Sequence, residues 1–264
     1  MTIGIIGARN MGGTVLKAIA EKTAYPVLVY DQDPGKAAAY KAYDRVQFVQ
    51  NVAACTQDVD LLFVCVKPMH IDALLKEIND IGLSSGTIVV SIAAGVKVSR
   101  FTEILGEVPV VRTMPNLPAM VGEGFTGIYF HNMEESEFDG RKQEIQGLFD
   151  LLGKTRVYPS EQYIDKMIAV TSSSPAYVCL FIEAMADGAV RLGFSREDAY
   201  LMAEQAVLGT AKYLRDGNVH PAVMKDRVCS PAGTTIEAVA ALEEMGLRSS
   251  VLEAMEKCDR MTRG

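Results

Sequence analysis

The chain begins with glycines spaced so that a backbone turn can approach a phosphate group. An apolar run over residues 3–6 leads into Gly7-Ala8-Arg9-Asn10-Met11-Gly12, and a helical pattern follows. In a Gly-x-Gly-x-x-Gly turn, the three glycines permit the bend, the approach of a pyrophosphate and close helix–strand packing, in that order. The helix N-terminus adds N–H donors and a positive dipole end. The pattern predicts a dinucleotide site at residues 7–12.

Arg9 stands where this pattern has its second glycine. Its side chain adds bulk to the turn, but a guanidinium can also reach a phosphate or the adenosine ribose. The alternative interpretation is a helix-start turn in an α/β protein that binds no nucleotide.

An acidic residue, Asp31, ends the second apolar run, about 20 residues beyond the glycine turn. A carboxylate there accepts the ribose hydroxyls of NAD and repels a 2′-phosphate, and Asp33 adds negative charge. The sequence therefore favours NADH weakly over NADPH. Two alternatives stay open: Arg9 or Lys36 could hold a 2′-phosphate, and Asp31 could only cap the next helix.

A second segment suited to an anion is Ser230-Pro231-Ala232-Gly233-Thr234-Thr235, which opens a helix near the C-terminus. Free N–H groups at a helix start, two hydroxyls and the dipole end together suit a carboxylate. The alternative is that Thr234 only caps the helix, with Glu237 three residues on.

Apolar runs that alternate with helical patterns must position these segments. The runs cover 3–6, 27–30, 46–49, 61–66, 87–92 and 108–111, and helices are predicted at 10–22, 34–42, 70–81 and 98–105. A strand at 125–130, a helix at 134–152 and a strand at 155–158 follow. This alternation predicts an α/β fold: an N-terminal Rossmann dinucleotide-binding domain with a parallel sheet, over residues 1–159.

Residues 160–264 carry only helical patterns, at 161–192, 195–216, 220–228 and 234–262. Ser160, Ser195 and Thr234 are the predicted N-caps. Pro175 predicts a kink near Ser174. Because the first two helices are apolar on all sides, we predict an all-helical dimerisation domain that packs against a second subunit.

Bulk composition restricts the class of protein. The 264 residues are 49% hydrophobic and 22% charged, with a net charge of −7, so a nucleic-acid partner is not expected. Five scattered cysteines and three histidines show no metal-ligand spacing, and we interpret the thiols as reduced and the protein as cytoplasmic. The N-terminus shows no secretory signal. We expect that no apolar stretch reaches the roughly 18 residues of a membrane span, so no membrane partner is expected.

Several motifs together resemble one family. They are Val66-Lys67-Pro68, Ala93-Ala94-Gly95, Arg112-Thr113-Met114-Pro115-Asn116, Ser174-Pro175-Ala176-Tyr177 and Ser230–Thr235, in this order. With the glycine turn, they make the whole chain resemble pyrroline-5-carboxylate reductases. The resemblance implies reduction of the cyclic imine 1-pyrroline-5-carboxylate to L-proline with NAD(P)H, the last step of proline biosynthesis. It also implies a homodimer formed through the helical domain, and a larger ring of such dimers.

The resemblance also implies site residues. Those lining the cofactor would be Gly7, Ala8, Arg9, Asn10, Met11, Gly12, Asp31, Asn51, Val66, Lys67, Pro68, Ala94, Gly95 and Pro115. Those binding substrate would be Met114, Asn116, Ser230, Gly233, Thr234 and Thr235. Ser230 and Thr235 would be the catalytic pair, with Thr235 orienting the ring nitrogen and relaying a proton from water. No metal is implied.

Four departures from the family pattern keep alternatives open. Arg9 replaces a glycine, Ser172-Ser173-Ser174 replaces Gly-Ser-Gly, Ala232 replaces a glycine, and Asn218 replaces an acidic residue of some members. The alternatives are a reductase of a different cyclic imine or small keto acid, and a non-catalytic nucleotide-binding homologue.

Overall fold

The computed structural model describes residues 1–134 and 136–263, without the side chains of Glu137 and Arg263. The chain forms two compact units. The first holds Met1–Ser172 and the end of the chain from Thr262, and the second holds Ser173–Met261.

An eight-stranded sheet forms the first unit. Its strands are β1 (Ile3–Ile6), β2 (Val27–Tyr30), β3 (Val46–Phe48), β4 (Leu61–Val64), β5 (Ile88–Ser91), β6 (Val110–Met114), β7 (Gly124–His131) and β8 (Gly153–Val157). Their order is β3-β2-β1-β4-β5-β6-β7-β8. The first six strands are parallel, β7 is antiparallel to β6, and β8 is parallel to β7.

Helices cover both faces of this sheet. They are α1 (Asn10–Lys22), α2 (Val52–Thr56), α3 (Ile71–Ile81), α4 (Val98–Leu105), α5 (Asp139–Asp150) and α6 (Gln162–Met167). Side chains of α1 and α5 share one apolar cluster with Ile3 and Ile5, and those of α2, α3 and α4 share another with Ile6. Because successive strand residues point to opposite faces, the continuous apolar runs supply both clusters, which confirms the predicted Rossmann sheet.

Several predicted elements differ in extent. Residues predicted as a helix at 34–42 form a 3-10 helix at Pro34–Tyr40, and β6 lies later than the predicted run at 108–111. The predicted helix at 134–152 begins as a 3-10 turn at Ser136–Phe138 and continues as α5. The short helix α2, which was not predicted, is capped by the Asn51 carboxamide oxygen, which accepts from the Ala54 N–H at 2.8 Å.

The second unit is helical. It contains α7 (Ser174–Arg191), α8 (Arg196–Asp216), α9 (Pro221–Val228), α10 (Thr234–Glu244) and most of α11 (Leu247–Arg263). The single helix predicted at 234–262 is wrong, because Gly246, at φ +77°, ends one helix before the next begins. Ser195 caps α8 as predicted. Ser160 does not cap α6, and Gly233 rather than Thr234 occupies the N-cap of α10.

The chain passes between the units at Ser172 and Ser173, later than the predicted boundary at 159–160. The reason is that Ile164 and Met167 of α6 pack on Met114 of the sheet unit. A π-helical segment, Ile168–Ser172, separates α6 from α7, so the helix predicted at 161–192 is interrupted just before Pro175. Which ligand each domain binds stays a prediction.

The helical stretch Gln162–Arg191 is 30 residues long, and an 18-residue window of it has a mean hydropathy of 1.4 with 11% of that window buried. By length and composition it could cross a membrane, so the expectation that no stretch is long enough is wrong. Few charged residues interrupt it. A helix that packs against a second copy of the chain has the same composition.

Candidate active site

The predicted cofactor residues of the first unit follow the carboxyl ends of parallel strands. Gly7 follows β1, Asp31 follows β2, Asn51 follows β3, Val66 follows β4 and Ala94 follows β5. Parallel strands end at the same edge of a sheet, so the structure brings these residues to one edge. The chain runs from β1 outward to β3 and then, from β4, in the other direction, and such a reversal point is where open α/β sheets bind ligands.

The glycine turn has the shape that its sequence predicted. Gly7 has φ +97°, and a Cβ there would lie 2.9 Å from the Cys65 carbonyl oxygen. A Cβ on Gly12 would overlap the Gly7 carbonyl oxygen. Arg9 is exposed and extended, at φ −98° and ψ 157°, so its position needs no glycine. Its side chain makes no cap bond to α1, which leaves the first N–H groups of that helix available to a pyrophosphate.

Asp31 lies beneath this turn and uses both carboxylate oxygens. One accepts the Ala8 N–H at 2.7 Å, and the other accepts the Asp33 N–H at 2.9 Å. The alternative that Asp31 only caps the next helix is wrong, since Asp33 does so by accepting the Gly35 N–H. The carboxylate thus ties the end of β2 to the turn.

Two thiols lie near the start of the sheet: Cys65 lies beside Gly7 and Gly12 of the turn, and the Cys55 thiol lies 3.5 Å from the Ile5 carbonyl oxygen of β1. Burial raises the pKa of Cys55 to about 11, and burial also raises the pKa of Cys65. Both thiols are therefore neutral at physiological pH and add no negative charge to this part of the structure.

The remaining cofactor residues along the edge differ in exposure. Asn51 caps α2, and Lys67 and Pro68 are exposed at a 3-10 turn after β4. Gly95 has φ +74° and lies in open space, which a side chain could fill only with backbone strain. Pro115 is buried.

The end of β6 carries contacts that the sequence did not predict. Arg112 is 1% exposed, and its guanidinium binds the carboxylates of Glu161, at 2.7 Å, and Asp165. Glu161 also accepts the Val98 N–H at the start of α4. The available signals were a lone arginine in an apolar strand and two acidic residues four apart, Glu161 at the N-cap of α6 and Asp165 within it.

Met114 and Asn116 are both predicted substrate residues, and both are buried in the first unit. Met114 packs on Ile164 and Met167. The Asn116 amide donates to the Thr171 carbonyl at 2.8 Å, and its oxygen accepts the Phe125 N–H at 2.8 Å. These main-chain partners were not expected for a side chain that faces the substrate, whose role there stays a prediction.

The other predicted substrate residues belong to the second unit, between α9 and α10. The Gly233 N–H donates to the Ser230 carbonyl at 3.0 Å, and a Cβ on Gly233 would overlap the Ser230 hydroxyl oxygen. Gly233 gives α10 no side-chain cap, so the N–H groups of Thr234 and Thr235 have no capping partner. Ser230 and Thr234 are exposed, and Thr235 is half-buried. The segment can present hydroxyls and backbone donors to a carboxylate.

Two departures from the family pattern lie in left-handed backbone. Ala232 has φ +55° and Asn218 has φ +47°. Asparagine adopts this conformation more readily than alanine, so Ala232 keeps a glycine-like backbone at some cost in strain.

Comparison with known proteins agrees with both parts of this arrangement. Residues 161–264 match the family model described as pyrroline-5-carboxylate reductase dimerisation, and residues 2–95 match the model described as NADP oxidoreductase, coenzyme F420-dependent. The pyrroline-5-carboxylate reductase of Escherichia coli is 40% identical over 97% of this chain and 95% of its own length. That of Synechocystis is 36% identical over 98% and 96%.

Solved structures give the same result. A pyrroline-5-carboxylate reductase from Coxiella burnetii superposes with a TM-score of 0.92 at 28% identity, covering 99% of this chain and 97% of its own. The enzyme from Streptococcus pyogenes has a TM-score of 0.84 at 28% identity, covering 99% and 98%. With similarity along its whole length in sequence and fold, the chain belongs to the pyrroline-5-carboxylate reductase family.

Proposed function

We propose that this chain reduces 1-pyrroline-5-carboxylate to L-proline with NAD(P)H. The observation that carries the proposal is the segment Ser230–Thr235, where a Cβ at position 233 would overlap the Ser230 hydroxyl oxygen as it is placed beside an uncapped helix start. That arrangement supplies the donors a small carboxylate needs.

In this proposal the cofactor lies along the strand ends. The turn of residues 7–12 holds the pyrophosphate, because Gly7 and Gly12 leave the backbone uncovered and α1 offers free N–H groups. The other residues proposed to line it are Asp31, Asn51, Val66, Lys67, Pro68, Ala94, Gly95 and Pro115. The bound cofactor supplies a hydride to the imine carbon.

The chain's own residues then manage binding and the proton. Ser230, Gly233 and Thr234 hold the substrate carboxylate, and Thr235 hydrogen-bonds the ring nitrogen. As the C=N bond becomes a C–N bond, the nitrogen takes a proton that reaches it from water by way of Thr235. A threonine hydroxyl is a weak acid, so positioning supplies most of the acceleration, up to about 7–11 kcal/mol in well-oriented cases.

We further propose a preference for NADH over NADPH, supported by the carboxylates of Asp31 and Asp33 after β2. The cytoplasm is the proposed location, since free cysteines are typical of a reducing compartment. The proposed assembly is a homodimer through the helical unit, with a ring of such dimers as the larger form.

The decisive experiment is a steady-state assay of purified protein with pyrroline-5-carboxylate and either NADH or NADPH. We expect turnover, a loss of at least about 100-fold in kcat/KM for Thr235→Ala, and a smaller loss for Thr235→Ser, which keeps the hydroxyl. Tight cofactor binding without turnover would favour the non-catalytic homologue. Turnover only with another imine or a keto acid would overturn the substrate. Full activity of Thr235→Ala would overturn the role of that residue.

A further inference from the structure

The hydrogen bonding of the helical stretch Gln162–Arg191 has a gap between the π-helical segment and α7, whose first turn contains Pro175. In an α-helix the carbonyl of residue 171 accepts the N–H of residue 175, but proline has no N–H to donate. The next candidate, the Ala176 N–H, donates to the Ser173 carbonyl at 3.0 Å instead. The Thr171 carbonyl, in the π-helical segment Ile168–Ser172, therefore receives nothing from the helix that follows it.

Asn116 fills this gap from the sheet. Its amide donates to the Thr171 carbonyl at 2.8 Å. The other end of the same side chain is fixed, because its oxygen accepts the Phe125 N–H of β7 at 2.8 Å. With Asn116 only 9% exposed, both bonds are shielded from competing water.

The bond joins two places that matter for the reaction. Asn116 follows Met114 and Pro115, the residues expected near the nicotinamide. Thr171 lies in the last turn before the chain enters the helical unit at Ser173. A shift at Thr171 therefore reaches the strand end beside the cofactor through one side chain.

We propose that Asn116 is a positioning residue: it supplies the hydrogen bond that Pro175 cannot donate, and so holds the last turn of the first unit against the end of β6. Its amide then acts on turnover through Thr171 and does not bind the substrate. The activity readout rests on the proposed function, whereas the stability readout does not.

A double-mutant cycle tests this proposal. Asn116→Ala is made in the wild-type chain and in a Pro175→Ala background, where a backbone N–H at position 175 can serve the Thr171 carbonyl. We expect Asn116→Ala to lower kcat about tenfold in the wild-type chain, which corresponds to about 1.4 kcal/mol. In the Pro175→Ala background the fold-reduction in kcat caused by Asn116→Ala should be smaller by a factor of at least about three. The lost bond to Phe125 is common to both arms and cancels. The KM for the imine should stay within about twofold in both.

Urea unfolding of the same four proteins gives a readout independent of catalysis. The destabilisation by Asn116→Ala should likewise be smaller in the Pro175→Ala background. Gln146→Ala is the matched control, because it removes the hydrogen bond that the Gln146 side-chain amide donates to the Thr155 hydroxyl elsewhere in the first unit. Gln146→Ala should lower the free energy of unfolding by the same amount in both backgrounds.

If Asn116→Ala lowers the free energy of unfolding equally in the two backgrounds, the Asn116 bond to the Thr171 carbonyl does not replace the bond that Pro175 cannot donate, and the proposal is overturned. A rise in the KM for the imine that Pro175→Ala does not reduce would overturn the positioning role and return Asn116 to the substrate site. If no protein of the set turns over pyrroline-5-carboxylate, the proposed function fails while the unfolding cycle still decides the hydrogen-bond proposal.

Discussion

Asp31 combines two tasks in one carboxylate. It carries the negative charge on which the proposed preference for NADH rests, and it accepts the N–H groups of Ala8 and Asp33 that shape the turn. The two tasks separate in a variant that keeps an acceptor oxygen but loses the charge.

Asp31→Asn is that variant. We expect the ratio of kcat/KM for NADH to that for NADPH to fall about tenfold, because repulsion of the 2′-phosphate is removed while the bond to Ala8 can be kept. Steady-state kinetics with both cofactors measures the ratio. Asp58→Asn removes a charge at the other edge of the sheet, where asparagine suits φ +57°, and should leave the ratio unchanged. An unchanged ratio in Asp31→Asn would remove the proposed preference for NADH.

The contacts of a single residue could be predicted from the sequence where its partners lie close to it along the chain. The need for glycine at positions 7 and 12 follows from their spacing, and the structure shows it in the close main-chain contacts that a Cβ would make there. Arg9 breaks the pattern without disturbing the turn, because its extended backbone requires no glycine. The partners of Asn116 could not be predicted. Thr171 lies 55 residues away, and no periodic pattern links the two positions.

Strand β6 and helix α6 are joined by charge. Buried Arg112 meets the carboxylates of Glu161, at the N-cap of α6, and of Asp165, within α6. Its Nε atom has no partner among the described residues. A buried cation with two anions is costly to break, because the remaining carboxylates lose their partner. These ion pairs hold α6 on the sheet, whereas the sequence pattern assigned that helix to the helical domain.

Arg112→Met should therefore lower the free energy of unfolding by about 3 kcal/mol or more. Urea denaturation measures it. The control is Arg100→Met, which removes a bidentate pair with Asp72 at 2.6 and 2.7 Å on the exposed surface. Arg100 lowers the pKa of Asp72, yet solvent screens the pair, so the loss should be much smaller. Equal losses for the two variants would contradict an anchoring role for Arg112.

At the element scale, the order of strands and helices was predictable and several ends were not. Apolar runs mark buried strands, but the run before β6 begins in the loop that precedes the strand, so the prediction lay too early. The predicted helix at 234–262 continued through Gly246 because its apolar periodicity does not stop there. The left-handed backbone of that glycine, which ends α10, is visible only in the structure.

The helical unit is underpacked as an isolated chain. Its fully buried apolar side chains are those of Ala186, Ala199 and Ala203, and large ones such as Leu180 and Leu201 are about two-thirds exposed. Such a surface is typical of an obligate interface between subunits. The matched dimerisation family covers the same residues.

Leu180→Glu should weaken the dimer, because a charge at a desolvated contact leaves a carboxylate without a partner. Sedimentation velocity across a concentration series should show monomer at concentrations where the unmodified chain is dimeric. The control, Lys76→Glu on α3 of the sheet unit, changes a surface charge outside the matched region and should leave the mass unchanged. A dimer of undiminished stability in Leu180→Glu would place the interface elsewhere on the unit.

The double engagement of Asp31 also constrains how such a chain can diverge among its descendants. Under the proposed preference for NADH, a lineage that adopts NADPH must neutralise position 31 without releasing the Ala8 N–H. Small residues remove the charge but offer no acceptor for the Ala8 N–H, so most replacements would deform the turn. Asparagine removes the charge and keeps one acceptor oxygen for the Ala8 N–H, while the bond to the Asp33 N–H is lost. It is reached from aspartate by one base change, so under the proposed preference for NADH it is the accessible intermediate between the two cofactor specificities.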